Sequence, residues 1–154
     1  MDVTQTINSI QEVQDALKQQ LESNVYFATA KIQVVTENAA QIDFLIKNAL
    51  GKLGIVCVVQ TPTFDFMGKD EDGHPVWSIP EGTIVVSEIP TINRARAGAS
   101  TALDAALQAA ESLNELGSGI VLKSINQVEN QGVVSVFVTF ETNARFKYFR
   151  NDLA

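Results

Sequence analysis

Along this chain, hydrophobic and polar positions follow two periods, one near 3.6 residues and one of two. Between Thr6 and Ser23, the residues Ile7, Ile10, Val13 or Gln14, Leu17 and Leu21 return at helical spacing, with Gln11, Asp15, Lys18 and Glu22 opposite. That pattern predicts an amphipathic helix with Thr4 or Thr6 placed to cap its start. ATAKIQVV (28–35) reads as a strand, and a second helix is expected over 38–52, where Ile42, Leu45, Ile46, Ala49 and Leu50 share a face. Gly51 and Gly54 suit the end of that helix and the turn after it. GIVCVVQT (54–61) is short, valine-rich and apolar throughout, which predicts a strand buried on both faces.

The middle of the chain breaks the rhythm. All four prolines lie between 62 and 90, and FDFMGKDEDGHPVW reads as two extended arms around an acidic tip. Asp72-Gly73 supplies the turn chemistry, so a projecting hairpin is expected over 62–80. TIVVSEIPTI resumes as a strand whose later half, at Pro90, is expected at a sheet edge or bulge. A third helix is predicted from Ser100 or Thr101 to Leu116, with Leu103, Ala106, Leu107, Ala110 and Leu113 on its apolar face. Two closing strands, GIVLKSINQVE and GVVSVFVTFET, flank Asn130-Gln131-Gly132, and the second alternates strictly. The order predicts an α+β fold: one mixed or antiparallel sheet, about three helices packed on it and a projecting hairpin. A single domain over 1–142 is expected, followed by an aromatic-basic tail at 143–154.

Composition narrows the function. The 154 residues are 45% hydrophobic and 19% charged, ordinary values for a globular domain that needs no staples. A lone Cys57 in an apolar run reads as a small buried hydrophobe. The start MDVTQTINSI lacks the basic and apolar blocks of a secretory signal, and no apolar run approaches the roughly 20 residues a bilayer span needs. A cytoplasmic setting without membrane contact is therefore expected. The net charge of -7 opposes general attraction to nucleic acid.

Catalytic and metal chemistry finds little purchase. One histidine, His74, on a turn is poorly placed to serve as a base beside a nucleophile. One histidine and one cysteine cannot make a four-ligand zinc site. Asp70, Glu71 and Asp72 are consecutive, unlike a calcium loop, and are expected to diverge. Nucleotide-binding glycine motifs are absent from the sequence, so no cofactor is expected.

Two basic groups remain. Arg94 and Arg96, if extended, point to one side and suit an acidic patch on a neighbour, with Asp70 and Asp72 at the hairpin tip as the available complement. RFKYFR, with Arg145, Phe146, Tyr148 and Arg150, reads as a docking arm or as a plain last strand. Alternatively, RAGAST places Ser100 and Thr101 at a helix start where N–H groups, with Arg94 or Arg96, suit an anion.

This element order resembles the tail-terminator and tail-completion proteins of tailed bacteriophages, and VVSEIPTINRARAGASTALDAALQAAESL is similar to small prophage tail-region proteins. The resemblance, which spans about Ile7 to Glu141, implies a non-enzymatic structural subunit of the virion tail, assembled in the host bacterial cytoplasm. It further implies a ring, commonly hexameric, that contacts tail-tube or head-connector proteins and lets DNA pass without specific binding. Two other readings stay open: a small-molecule or nucleotide-binding enzyme domain with its anion site at the third helix, and a monomeric adaptor that recruits a partner through its tail.

Overall fold

A computed structural model describes residues 4–7, 10–115, 120–142 and 145–148, with side chains described at 11–113 and 120–142. The architecture is α+β. The elements run β1 (Thr4–Ile7), α1 (Ile10–Glu22), α2 (Val25–Ala30), β2 (Gln33–Thr36), α3 (Ile42–Lys52), β3 (Ile55–Val59), β4 (Asp65–Lys69) and β5 (Pro75–Ser78). They continue as β6 (Gly82–Glu88), α4 (Pro90–Asn93), α5 (Ala102–Glu115), β7 (Ile120–Asn130), β8 (Val133–Thr142) and β9 (Arg145–Tyr148).

Five strands form the main sheet in the order β2-β3-β6-β8-β7. β2 and β3 are parallel, and the other neighbours are antiparallel. β3 is buried at every position, as its unbroken apolar run predicts. Its alternation then divides two cores. Ile55, Cys57 and Val59 pack with Leu17, Leu21, Phe27 and the alanines of α5, while Val56 and Val58 pack with Ala49 of α3. Helices thus cover both faces of β3. Burial pushes the Cys57 thiol up to about 12, so it stays a neutral apolar group as expected.

The expectation of one sheet is corrected. β1, β9, β5 and β4 form a second, four-stranded sheet, so the 62–80 hairpin is not a lone projection. β5 pairs with β9, which pairs in parallel with β1, and the chain's two end segments thereby stitch the hairpin to the domain. Residues 145–148 are accordingly strand backbone within the fold rather than a detached arm. Arg150 lies outside the described residues.

Four local expectations are corrected too. Ile7 belongs to β1, and the first helix starts at Ile10. Residues 28–30 end a short helix, not a strand, because Asn24 caps α2 by accepting from the Tyr26 N–H and Lys31 closes it in the left-handed conformation. Pro90 opens α4 rather than lying at a bulge, since its fixed φ and missing N–H suit a first helical turn. On α5 the buried stripe is Ala102, Ala105, Ala106, Ala109, Ala110 and Leu113, whereas Leu103 and Leu107 are 43% and 48% exposed. Alanines permit close approach to the sheet, which decides the helix rotation over the larger side chains.

Gly54 joins α3 to β3 with φ +75, and a Cβ there would lie 2.4 Å from the Asn93 backbone nitrogen. Its carbonyl also accepts from the Ile89 N–H at 2.8 Å. Gly54→Ala is expected to cost roughly 2–4 kcal/mol through combined φ strain and overpacking. Urea denaturation of the two proteins checks this.

Candidate functional site

Strand parity carries a carboxylate into the core. Ile84 and Val86 of β6 are fully buried, and Glu88, two residues further on, is 1% exposed on the same face. A carboxylate cannot remain there without compensation. The chain from Ile89 onward folds back over it and supplies three donors. Asn93 Nδ2 donates to Glu88 Oε2 at 2.7 Å, while Arg94 Nη2 and the Ala102 N–H each donate to Oε1 at 3.0 Å. Burial pushes the Glu88 carboxyl up, but the hydrogen bonds from Arg94, Ala102 and Asn93, with the guanidinium charge, outweigh it and hold the pKa below the ordinary 4.5.

At the start of the third helix, where the alternative reading sets an anion, stands the protein's own Glu88 carboxylate. Ala102 is the first residue of α5, so Glu88 meets the positive end of its dipole. Thr101 completes the cap by accepting from the Asp104 N–H at 3.1 Å. Asn93, fully buried, also donates to the Ser100 carbonyl at 2.6 Å and accepts from Arg96 Nη2 at 2.8 Å. Arg96 Nε donates to the Leu53 carbonyl at 2.9 Å, and its Nη2 reaches the Ala30 carbonyl at 3.4 Å. Those carbonyls close α3 and α2, where a cation is favourable.

Arg96 is thus turned into the junction and half-buried, while Arg94, 56% exposed, reaches Glu88 from the surface, and the two are not set side by side on an extended segment. The cause is the helical turn that Pro90 begins, which brings Arg94 back over Glu88. At the hairpin tip, Asp70 Oδ1 accepts the N–H groups of Asp72 and His74 at 3.0 and 2.8 Å, which makes it part of its own turn. The turn draws Asp70, Asp72 and His74 together, with one ligand-type atom of each within 4.8 Å of the others, so Asp70 and Asp72 do not diverge, while Glu71 between them is not in the group. Glu88 and Asn93 were missed as candidates, although the inward parity of Ile84 and Val86 points straight at Glu88.

The second feature is what the sheets leave uncovered. β4 and β7 are outermost in their sheets. On β4, Phe66 and Met67 are 56% and 49% exposed, with Phe66 edge-on to Trp77 at 5.6 Å. On β7, Val121, Leu122 and Val128 are exposed. An open pocket of about 430 Å³ lies where Arg94, Thr101 and Leu103 meet Gln127 and Glu129 of β7. The sequence alternation revealed these strands but not their outer position.

The chain matches no protein-family model and no curated protein. No helix of the described residues is long and apolar enough to cross a membrane.

The junction generates two expectations. Because the folded pKa of Glu88 is lowered, its contribution is complete above pH 4.5 and is lost as pH falls through the lowered value. Glu88→Ala is expected to lose roughly 2–4 kcal/mol at neutral pH, and Glu88→Gln to flatten the acid limb of the stability–pH curve. Denaturation midpoints from pH 3 to 7 check both, in steps of about half a unit. Arg96→Ala is expected to cost about 2 kcal/mol through the carbonyls it leaves unmatched, and more than Arg94→Ala, whose side chain is largely in water. Thermal melts of the two variants decide that order.

Proposed function

We propose that this protein is a non-enzymatic structural subunit that acts by self-assembly, in the manner of a tail-terminator or tail-completion protein of a phage or prophage. The observation that carries the reading is the pair of uncovered sheet edges, β4 and β7, each bearing exposed apolar side chains. Backbone donors and acceptors along such an edge pair readily with another strand, and apolar side chains beside them add area. A closed ring needs two different patches on each copy, and the hairpin edge β4 is one of them.

The proposed partners are further copies of the chain in a ring, together with tail-tube or head-connector proteins, in the virion tail. An acidic surface around a channel suits DNA that must slide through without sticking. The reading of an anion site at the third helix draws no support from the junction, where Glu88 already takes the Ala102 N–H and the Arg94 guanidinium. The adaptor reading is weakened by the pairing of β9 with β1 and β5, which engages the backbone of 145–148 within the fold.

Light scattering across a wide concentration range is expected to show a discrete closed oligomer, and electron microscopy to show that species at the ends of purified tail tubes. Phe66→Lys with Met67→Lys is expected to reduce oligomer formation by tenfold or more, since roughly 1–3 kcal/mol of apolar burial is lost at each contact. A protein that remains monomeric throughout and leaves tube ends bare overturns the proposal.

A further inference from the structure

β7 is the longest strand of the described residues, with eleven positions, of which nine are exposed and two half-buried. Two of the other edges, β2 and β4, differ. β2 has four residues with three buried, and β4 has five with a register break between Phe66 and Lys69. Long edges are normally shielded by proline, by several charges or by a central bulge. β7 has no proline, and its only charges are Lys123 and Glu129. Its bulge at Lys123 lies towards one end and leaves Ser124–Asn130 in unbroken register with β8.

The strand is complementary to itself when reversed. An antiparallel pairing centred on Asn126 matches residues 124–128, which lie inside the unbroken stretch, to themselves, and brings Lys123, the bulged residue just beyond them, next to Glu129 of the second copy, and the reverse. Ser124 then meets Val128, and Asn126 meets its own counterpart, where two amides can bond to each other. Lys123 and Glu129 cannot satisfy one another within one chain, because six residues of strand separate them by about 20 Å. Neither makes an ion pair among the described residues.

The helix layer fits the same symmetry. α5 lies against β7, and Leu103 lines the pocket beside Gln127 and Glu129. A two-fold axis perpendicular to the sheet at Asn126 keeps both α5 helices on one face. It brings the exposed Leu103 of each copy, which lies beside Gln127 and Glu129, towards the seam. The outward rotation of that leucine, unfavourable in an isolated domain, then has a use.

We infer that β7 pairs antiparallel with β7 of a second copy, centred at Asn126, and joins two five-stranded sheets into one continuous sheet. The contact rests on the self-assembly reading in requiring copies to meet, but it is isologous and closes on two chains. It takes β7 out of the head-to-tail contact of a ring, which then joins β4 of one copy to a patch other than β7 on the next.

Charge reversal tests it in trans. Lys123→Glu and Glu129→Lys each place like charges next to one another twice, while the double variant restores both opposite-charge pairs. Sedimentation velocity at low salt is expected to show each single variant dimerising roughly tenfold more weakly than the parent. The double variant is expected to return to within about threefold of it. Both positions are exposed, so the thermal midpoint of the monomer should not move, and circular dichroism confirms that each variant folds. A double variant no better than the singles, or singles equal to the parent, overturns the β7 pairing. If rings still form in that case, the structural reading survives; if the parent never self-associates, both fall.

Discussion

The fold turns on one buried carboxylate. Glu88 ends β6 on the core side of the sheet, and desolvating its charge would cost several kcal/mol if no donor met it. Everything from Ile89 to Ala102 is arranged to meet it. Pro90 starts the helical turn, Asn93 and Arg94 bring side-chain donors, and α5 begins where its first N–H reaches the same oxygen. That last bond fixes where α5 begins over the sheet. Through Asn93 and Arg96 the same network reaches the carbonyl ends of α2 and α3. Four helices are therefore referred to a single point, and Gly54 gives that point the room to close.

This internal use of the two arginines changes where function is to be sought. A pair of basic residues near a helix start invites a ligand, but here Arg94 already meets the Glu88 carboxylate and Arg96 the carbonyl ends of α2 and α3. What remains unsatisfied is backbone and apolar surface at the sheet margins. Among the described residues β4 and β7 end their sheets with exposed apolar side chains, and Leu103, which α5 turns outward, lies beside β7. A surface of that kind favours association with strands over recognition of a small molecule. The phage tail reading joins this to the resemblance in element order.

Much of the fold was legible from residue patterns. The three long helices, the buried β3 run, the 62–80 hairpin and the β7–β8 hairpin follow from local periodicity and turn chemistry, including left-handed Gln131 and Gly132 in the closing turn. The second sheet was not legible, because β1 and β9 are four residues each and their pairing spans nearly the whole chain. The face of α5 is not legible for a related reason. Periodicity allows neighbouring stripes, and size favours the leucines, yet the sheet selects alanines because they let the helix come close.

Local pattern alone determined the α+β class, the double-sided burial of β3 and the inward parity that makes Glu88 a core residue, since each depends only on the spacing of side chains along one element. Only the tertiary structure decided which charges are spent and which edges stay open. Those outcomes depend on distances between segments far apart in sequence: Arg96 to Ala30, Asn24 to Ser112, β1 to β9. An arginine reads the same in the sequence whether it faces water or a helix end. The carbonyl or carboxylate that the folded chain brings within about 3 Å of it decides its role.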